Sequence, residues 1–148
     1  MRASAYTSGA CVVTITSDVN DSVNTAVLGK PTTLLVTATA ATGVAVTATL
    51  PAVAGLRHLI DFIRVTRSAT ALLTAGATPT VVTTTNIPGS LALTFGASAD
   101  AQGVDRIEEV SFGATGMAAT TLGTATTVVC PLTTGVIWRV NVGYRLGL

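Results

Sequence analysis

Charge is what this sequence has least of. Only 10% of its 148 residues are Asp, Glu, Lys or Arg, against about 25% in an average soluble domain. It has one Lys, Lys30, and one His, His58. A net charge of +1 cannot neutralise a row of phosphates, so no nucleic-acid partner is expected. Two Cys are too few for a disulfide scaffold, and with one His they do not make a zinc module. Aromatic residues are 4% of the chain, too few for the girdles of a membrane barrel. Low charge combined with 49% apolar residues also excludes disorder.

Long hydrophobic runs are missing too. The mean hydropathy of +0.64 invites a membrane reading, and Pro31 to Leu56 carries no formal charge. That stretch is broken by seven Thr, two Pro and two Gly, whereas a spanning helix wants Leu, Ile and Phe. No membrane partner is expected. The N-terminus, Met1-Arg2-Ala3-Ser4-Ala5-Tyr6, lacks the apolar core of a signal peptide, which predicts cytoplasmic synthesis.

What is abundant is Thr, Ala and Val, at 28, 23 and 19 residues. Thr and Val favour strands because their β-branched side chains fit a pleated, half-buried surface. Period-2 alternation agrees. Val136, Trp138, Val140, Val142, Tyr144 and Leu146 alternate with Ile137, Arg139, Asn141, Gly143 and Arg145, which predicts one buried face with Trp138 in the core. Leu34, Val36 and Ala38, then Val44, Val46, Ala48 and Leu50, flank a turn at Ala41-Thr42-Gly43 and read as a hairpin. Further strands are expected at Cys11–Thr16, Leu56–Arg67, Thr80–Thr85, Leu91–Phe95, Arg106–Phe112 and Thr124–Cys130. Gly and Pro clusters separate them. The expected fold is all-β: an antiparallel β-sandwich of jelly-roll type over residues 10–148, preceded by an extended N-terminal arm, residues 1–9. Asp18 to Lys30 reads as a long connection.

The position of the few charges is informative. None lies between Ser68 and Ala99, and none between Val110 and Trp138. A soluble monomer normally covers its outer strand faces with Lys and Glu. Here Thr and Ser take that place, and a hydroxyl costs less to desolvate than an ion. The pattern predicts a chain packed against copies of itself or a partner. In Leu56–Arg67, strict alternation would put Arg57, Leu59, Asp61, Ile63, Val65 and Arg67 on one side. Leu56, His58, Ile60, Phe62, Arg64 and Thr66 would take the other. Both sides are largely apolar, as in a strand covered on both faces. Arg57, Asp61, Arg64 and Arg67 are therefore the candidate interface anchors. Asp105-Arg106-Ile107-Glu108-Glu109, the one dense charge cluster, reads as a surface loop.

Chemistry is not expected. His58 has no nucleophile-elbow or cysteine-protease context and reads as a packed residue. The acids lack the spacing of a calcium loop, and for a hydrolytic carboxylate pair six of the seven sit in loops or one cluster while Asp61 stands beside Arg57 and Arg64. The chain reads as non-enzymatic, with no catalytic residues, no metal ligands and no cofactor. Cys11 and Cys130 read as two buried thiols, although strands so distant in sequence can be neighbours and a disulfide stays geometrically open.

Three stretches carry a resemblance: "AVAGLRHLIDFIRVTRSATA" from Ala52, "TTTNIPGSLALTFG" from Thr83, and "TATTVVCPLTTGVIWRVNVGYR" from Thr124. Over about residues 52 to 145 the chain resembles small virion structural proteins of tailed bacteriophages, which decorate or cement capsids or serve as head or tail accessory proteins. The resemblance implies a capsid decoration protein on the virion surface, made in the host cytoplasm. It also implies a homo-oligomer, a trimer, with the major capsid protein as partner. The alternative expectation is a receptor- or carbohydrate-binding sandwich of a phage tail or fibre. Residues 1 to 50 lie outside the resemblance.

Overall fold

The computed structural model describes residues 6–7, 10–11, 33–76 and 78–148. The chain divides into two compact units, Met1–Pro31 and Thr32–Leu148. In the first, β1 (Tyr6–Thr7) and β2 (Ala10–Cys11) form a two-stranded antiparallel ladder. The remainder of the expected 1–9 arm, the expected strand beyond Cys11 and the Asp18–Lys30 connection lie outside the described residues.

The second unit is all-β. Its strands are β3 (Leu34–Thr39), β4 (Val46–Leu50), β5 (Arg57–Ala69), β6 (Thr80–Thr85), β7 (Ala92–Phe95), β8 (Asp105–Ser111), β9 (Met117–Ala118), β10 (Thr126–Cys130) and β11 (Val136–Gly147). A single 3-10 turn, Pro88–Ser90, joins β6 to β7. Among the described residues no helix is long and apolar enough to cross a membrane. One sheet has the order β3-β11-β5-β8, with β9 also paired to β5, and the other β4-β10-β6-β7. All pairings are antiparallel. This is the expected antiparallel β-sandwich.

The alternation of β11 works as read. Val136, Trp138, Val140 and Val142 are fully buried, and Phe95 of the opposite sheet meets the Trp138 ring edge-on at 5.2 Å. Leu50, Val82 and Val128 close the core from the second sheet. Each such side chain contributes roughly 1.5–3 kcal/mol of burial. His58 is packed as expected. Its Nε2 donates to the Pro51 carbonyl at 3.0 Å, and its Nδ1 lies 2.8 Å from the Thr126 hydroxyl. Asn86 ties the loop before β10 to the same corner. Its amide donates to the carbonyls of Thr121 and Thr124, and its oxygen accepts from the Thr121 N–H.

Four readings of the sequence are corrected. First, β3 and β4 are not a hairpin: β3 pairs with β11 and β4 with β10, in opposite sheets. Their alternating sides face each other across the core. The connection through Gly43, at φ 75°, is held by Gly43 N–H donating to the Val136 carbonyl at 2.8 Å. Second, the Asp105–Glu109 charge cluster is not a surface loop: it lies on β8, Asp105–Ser111, where the strand expected at Arg106–Phe112 is found. Its outer edge is unpaired among the described residues, and its charges guard that edge against further pairing. Third, the short β9, Met117–Ala118, pairs with β5 between two expected strands, where the sequence reading placed no strand.

The fourth correction concerns β5. Strict alternation fails because the ladder with β11 slips. Gly143 faces Phe62 and Tyr144 faces Ile60, so Asp61 is the extra residue of a β-bulge. The slip resets the phase. His58 and Ile60 face the core before it, and Ile63, Val65 and Arg67 face the core after it. Asp61 and Phe62 are thus both turned outward. The Phe62 ring lies over Gly143, where an added Cβ would come within 2.2 Å of the ring. A side chain at 143 would force the ring away, which explains glycine in a strand interior.

Cys130 is buried and free. Burial pushes its thiol up to about 12, so it stays protonated and inert at neutral pH. The side chain of Cys11 lies outside the description.

Candidate functional site

The outward bulge brings Asp61 against a neighbour on β11. Arg145 grips the carboxylate with two nitrogens, Nε at 3.0 Å and Nη2 at 2.6 Å from Oδ1. Arg145 Nη2 also donates to the Ala114 carbonyl at 3.1 Å, and the Thr33 hydroxyl donates to Asp61 Oδ2 at 3.1 Å. The chain after β8 folds over this pair. Phe112 N–H donates to the Asp61 carbonyl. Gly116, at φ 72°, passes so close that a Cβ there would sit 3.0 Å from the Ile60 carbonyl and 3.1 Å from Arg145 Nη2. The side chains of Arg145 and Asp61 are consequently only 9% and 12% exposed although they point away from the core.

The other candidate anchors lie apart from this pair. Arg64 is half exposed on the same outer face, 3.6 Å from Glu109 of β8. A pair this exposed is worth little to the fold. Arg67 is on the core side and buried. Its Nη1 donates to the Gly96 carbonyl at 3.1 Å and stands 3.6 Å from Asp100. Arg57 is part-buried at the start of β5, and its Nε has no hydrogen-bond partner. The structure thus places Asp61 and Arg64 on the outer face and Arg67 inside, so the four do not form one cluster.

Asp100 and Arg106 escaped the sequence reading as a unit. Asp100 is buried, accepting from Arg106 Nε at 3.1 Å, Arg106 Nη2 at 2.7 Å and the Ser98 hydroxyl at 3.3 Å. The Arg106 hydrogen bonds hold its carboxyl below the usual value against the opposing effect of burial, with Arg67 and Ser98 helping. The signal was faint: a six-residue spacing across a glycine-bearing loop.

A different feature sets the two sheets apart. All formal charges of the described strands lie on β5, β8 and β11, in the first sheet. The second sheet, VTATL, TTVVC, TVVTTT and ALTF, carries none. Its outward residues form a continuous lattice. Thr49 stands beside Thr127 and Thr127 beside Thr85, and Thr47 beside Val129 and Val129 beside Thr83. Thr83 faces Ala92, and Val81 faces Thr94. The Thr85 and Thr127 hydroxyls bond each other at 2.8 Å. Each of its four strands comes from a charge-free run of the sequence. Among the described residues no cluster of His, Cys, Asp or Glu could hold a metal ion.

Two outcomes are expected. Asp61→Ala leaves Arg145 uncompensated beneath the 112–116 segment and lowers unfolding stability by roughly 3 kcal/mol, measured by urea denaturation; a loss below about 0.5 kcal/mol, the range of ordinary surface substitutions, contradicts the pairing. Asp100 has a depressed folded pKa, so its contribution is fully present above its ordinary value of 3.8 and is lost as pH falls below it. Asp100→Asn flattens that acid-side slope of stability against pH, whereas an unchanged slope shows that Asp100 does not set it.

No family model and no curated protein matches the sequence. Among solved structures, the chain is similar to one described as the cyanophage Pam1 capsid asymmetric unit. The identity is 17% and the TM-score 0.41, over 97% of this chain and 99% of that one.

Proposed function

We propose that this protein is a non-enzymatic decoration protein of a phage head, a cement that binds the major capsid protein lattice as a homotrimer and stabilises the shell. The observation that carries the reading is the charge-free outer face of the second sheet. Such a face is cheap to desolvate, because hydroxyls lose less hydration than ions. Its Thr, Val and Ala side chains also lose little rotamer entropy on burial. A free monomer has the opposite need, a charged surface for solubility. β3 extends the argument to an edge: LLVTAT carries no guarding charge, and Leu35 is 61% exposed. The sequence resemblance over residues 52 to 145 supplies the setting.

The strand order supports the jelly-roll form of the sandwich. Among the eight long strands, the first and last pair in one sheet, and the second and next-to-last in the other. In this reading Arg64 meets the neighbouring subunit directly. Asp61, Arg67 and Arg57 act through β5, whose shape their intrachain positions maintain. Residues 1–9 serve as an arm. Trp138 and Tyr144 give a sugar-binding role no support, because stacking platforms must be exposed and both rings lie in the core.

Sedimentation equilibrium at micromolar concentration, with co-sedimentation on capsids lacking the protein, tests the reading. The expected result is a species of three 14.8 kDa chains that binds the capsids. Arg64→Ala is expected to weaken trimer or capsid binding while monomer stability stays within about 0.5 kcal/mol. A monomer that ignores capsids overturns the proposal.

A further inference from the structure

Arg67 is an unusual core-side residue. It is 5% exposed, yet its Nε has no hydrogen-bond partner. The carboxylate it stands beside, Asp100, is already taken by two nitrogens of Arg106 and by Ser98. At 3.6 Å the Arg67–Asp100 contact is longer than a hydrogen bond. Two guanidiniums therefore share one carboxylate, and Arg67 is the less satisfied of them.

The same side chain lines a recess of about 170 Å³ at the end of the sandwich. Thr74, Thr78, Thr80, Ser98 and Thr134 contribute to its walls, and among the described residues Arg67 is its single charged one. Glu108 and Arg106 line an adjoining recess on the other side of Arg67. The first recess thus combines a buried, under-compensated guanidinium with a hydroxyl-bearing wall and no acid. It has the volume of roughly five or six waters, which is too small for a drug-sized ligand and large enough for the end of an acidic side chain.

We propose that this recess is a binding site for a single carboxylate group, held by Arg67 and hydrogen-bonded by the surrounding hydroxyls. A planar guanidinium matches a carboxylate through parallel N–H···O bonds. Within the recess itself the charge is the single guanidinium of Arg67, which balances a monoanion and leaves a doubly charged phosphate under-compensated. The carboxylate belongs either to an acidic side chain of a neighbouring protein chain or to a free small acid. The site is defined by these residues whether or not the protein sits on a capsid.

The test is a titration of isotopically labelled protein with sodium acetate at constant ionic strength, read by NMR at the Arg67 side-chain N–H and the amides of Thr80, Ser98 and Thr134. Sodium chloride and sodium phosphate run as parallel arms. The expected result is saturable shifts confined to these residues with acetate, absent with chloride and weaker with phosphate. Arg67→Lys keeps the charge and loses the fork, and it is expected to weaken acetate binding about tenfold. If Arg67→Lys does not fold, Thr134→Val at the exposed rim serves instead and is expected to weaken binding severalfold in an otherwise unchanged spectrum. A glutamate residue capped at both ends distinguishes the sources: tighter binding than acetate identifies a protein side chain, and equal or weaker binding a free acid. Non-saturating shifts, shifts equal in the chloride arm, or shifts centred elsewhere overturn the proposal.

Discussion

The antiparallel ladder between β5 and β11 is the constraint on which the first sheet depends. The two strands pair along almost their whole lengths, from Val136 opposite Ala69 to Gly147 opposite Arg57. A strand this long cannot keep one set of alternate residues in the core unless its apolar pattern is uninterrupted. In β5 the pattern changes phase, from His58 and Ile60 to Ile63 and Val65. One extra residue, Asp61, reconciles the two halves with a single core. The cost is a carboxylate pushed outward beside Phe62. The Arg145 fork, the Thr33 hydroxyl and the segment through Gly116 offset that cost. Gly143 is part of the same solution, since the displaced Phe62 ring occupies the space a side chain there would need.

The bulge explains one sheet; the division of charge explains the molecule's two outer surfaces. β5, β8 and β11 hold arginines and acids in intrachain pairs of very different exposure, from the covered Asp61–Arg145 contact to the open Arg64–Glu109 contact. The second sheet has only Thr, Val and Ala turned outward. Coulombic steering and salt sensitivity therefore belong to the first face, and low desolvation cost to the second. A sandwich with one charged and one neutral face has two different ways of meeting a neighbour.

Much of the fold was legible in the residues. The strand period of β11 placed Trp138 in the core, and the boundaries of β6 followed from the Pro79 and Pro88 punctuation. The runs without charge contain β4, β6, β7 and β10 of the neutral sheet but also β3 and β9 of the first, so absence of charge alone did not sort the strands into sheets. What was not legible depends on partners distant in the chain. Val36 and Ala38 alternate equally well whether their neighbour is β4 or β11, so the hairpin reading had no local contradiction. The bulge at Asp61 is set by register against Gly143, about eighty residues away. The Asp61–Arg145 and Asp100–Arg106 pairs have the same character: each residue looks like a strand-end or loop charge until the sheet brings its counterpart alongside.

The central claim is that the charge-free face of the second sheet is covered by a neighbouring protein surface. Thr83 lies within that face, between Val129 and Ala92. Replacing it with Lys puts one ammonium where the account requires a neutral contact, and an exposed strand position tolerates the change in the monomer. The most direct measurement is the sedimentation of Thr83→Lys beside the unmodified protein, with urea denaturation of both. The account predicts lost assembly or lost capsid binding at unchanged monomer stability. Assembly and binding equal to the unmodified protein would contradict it.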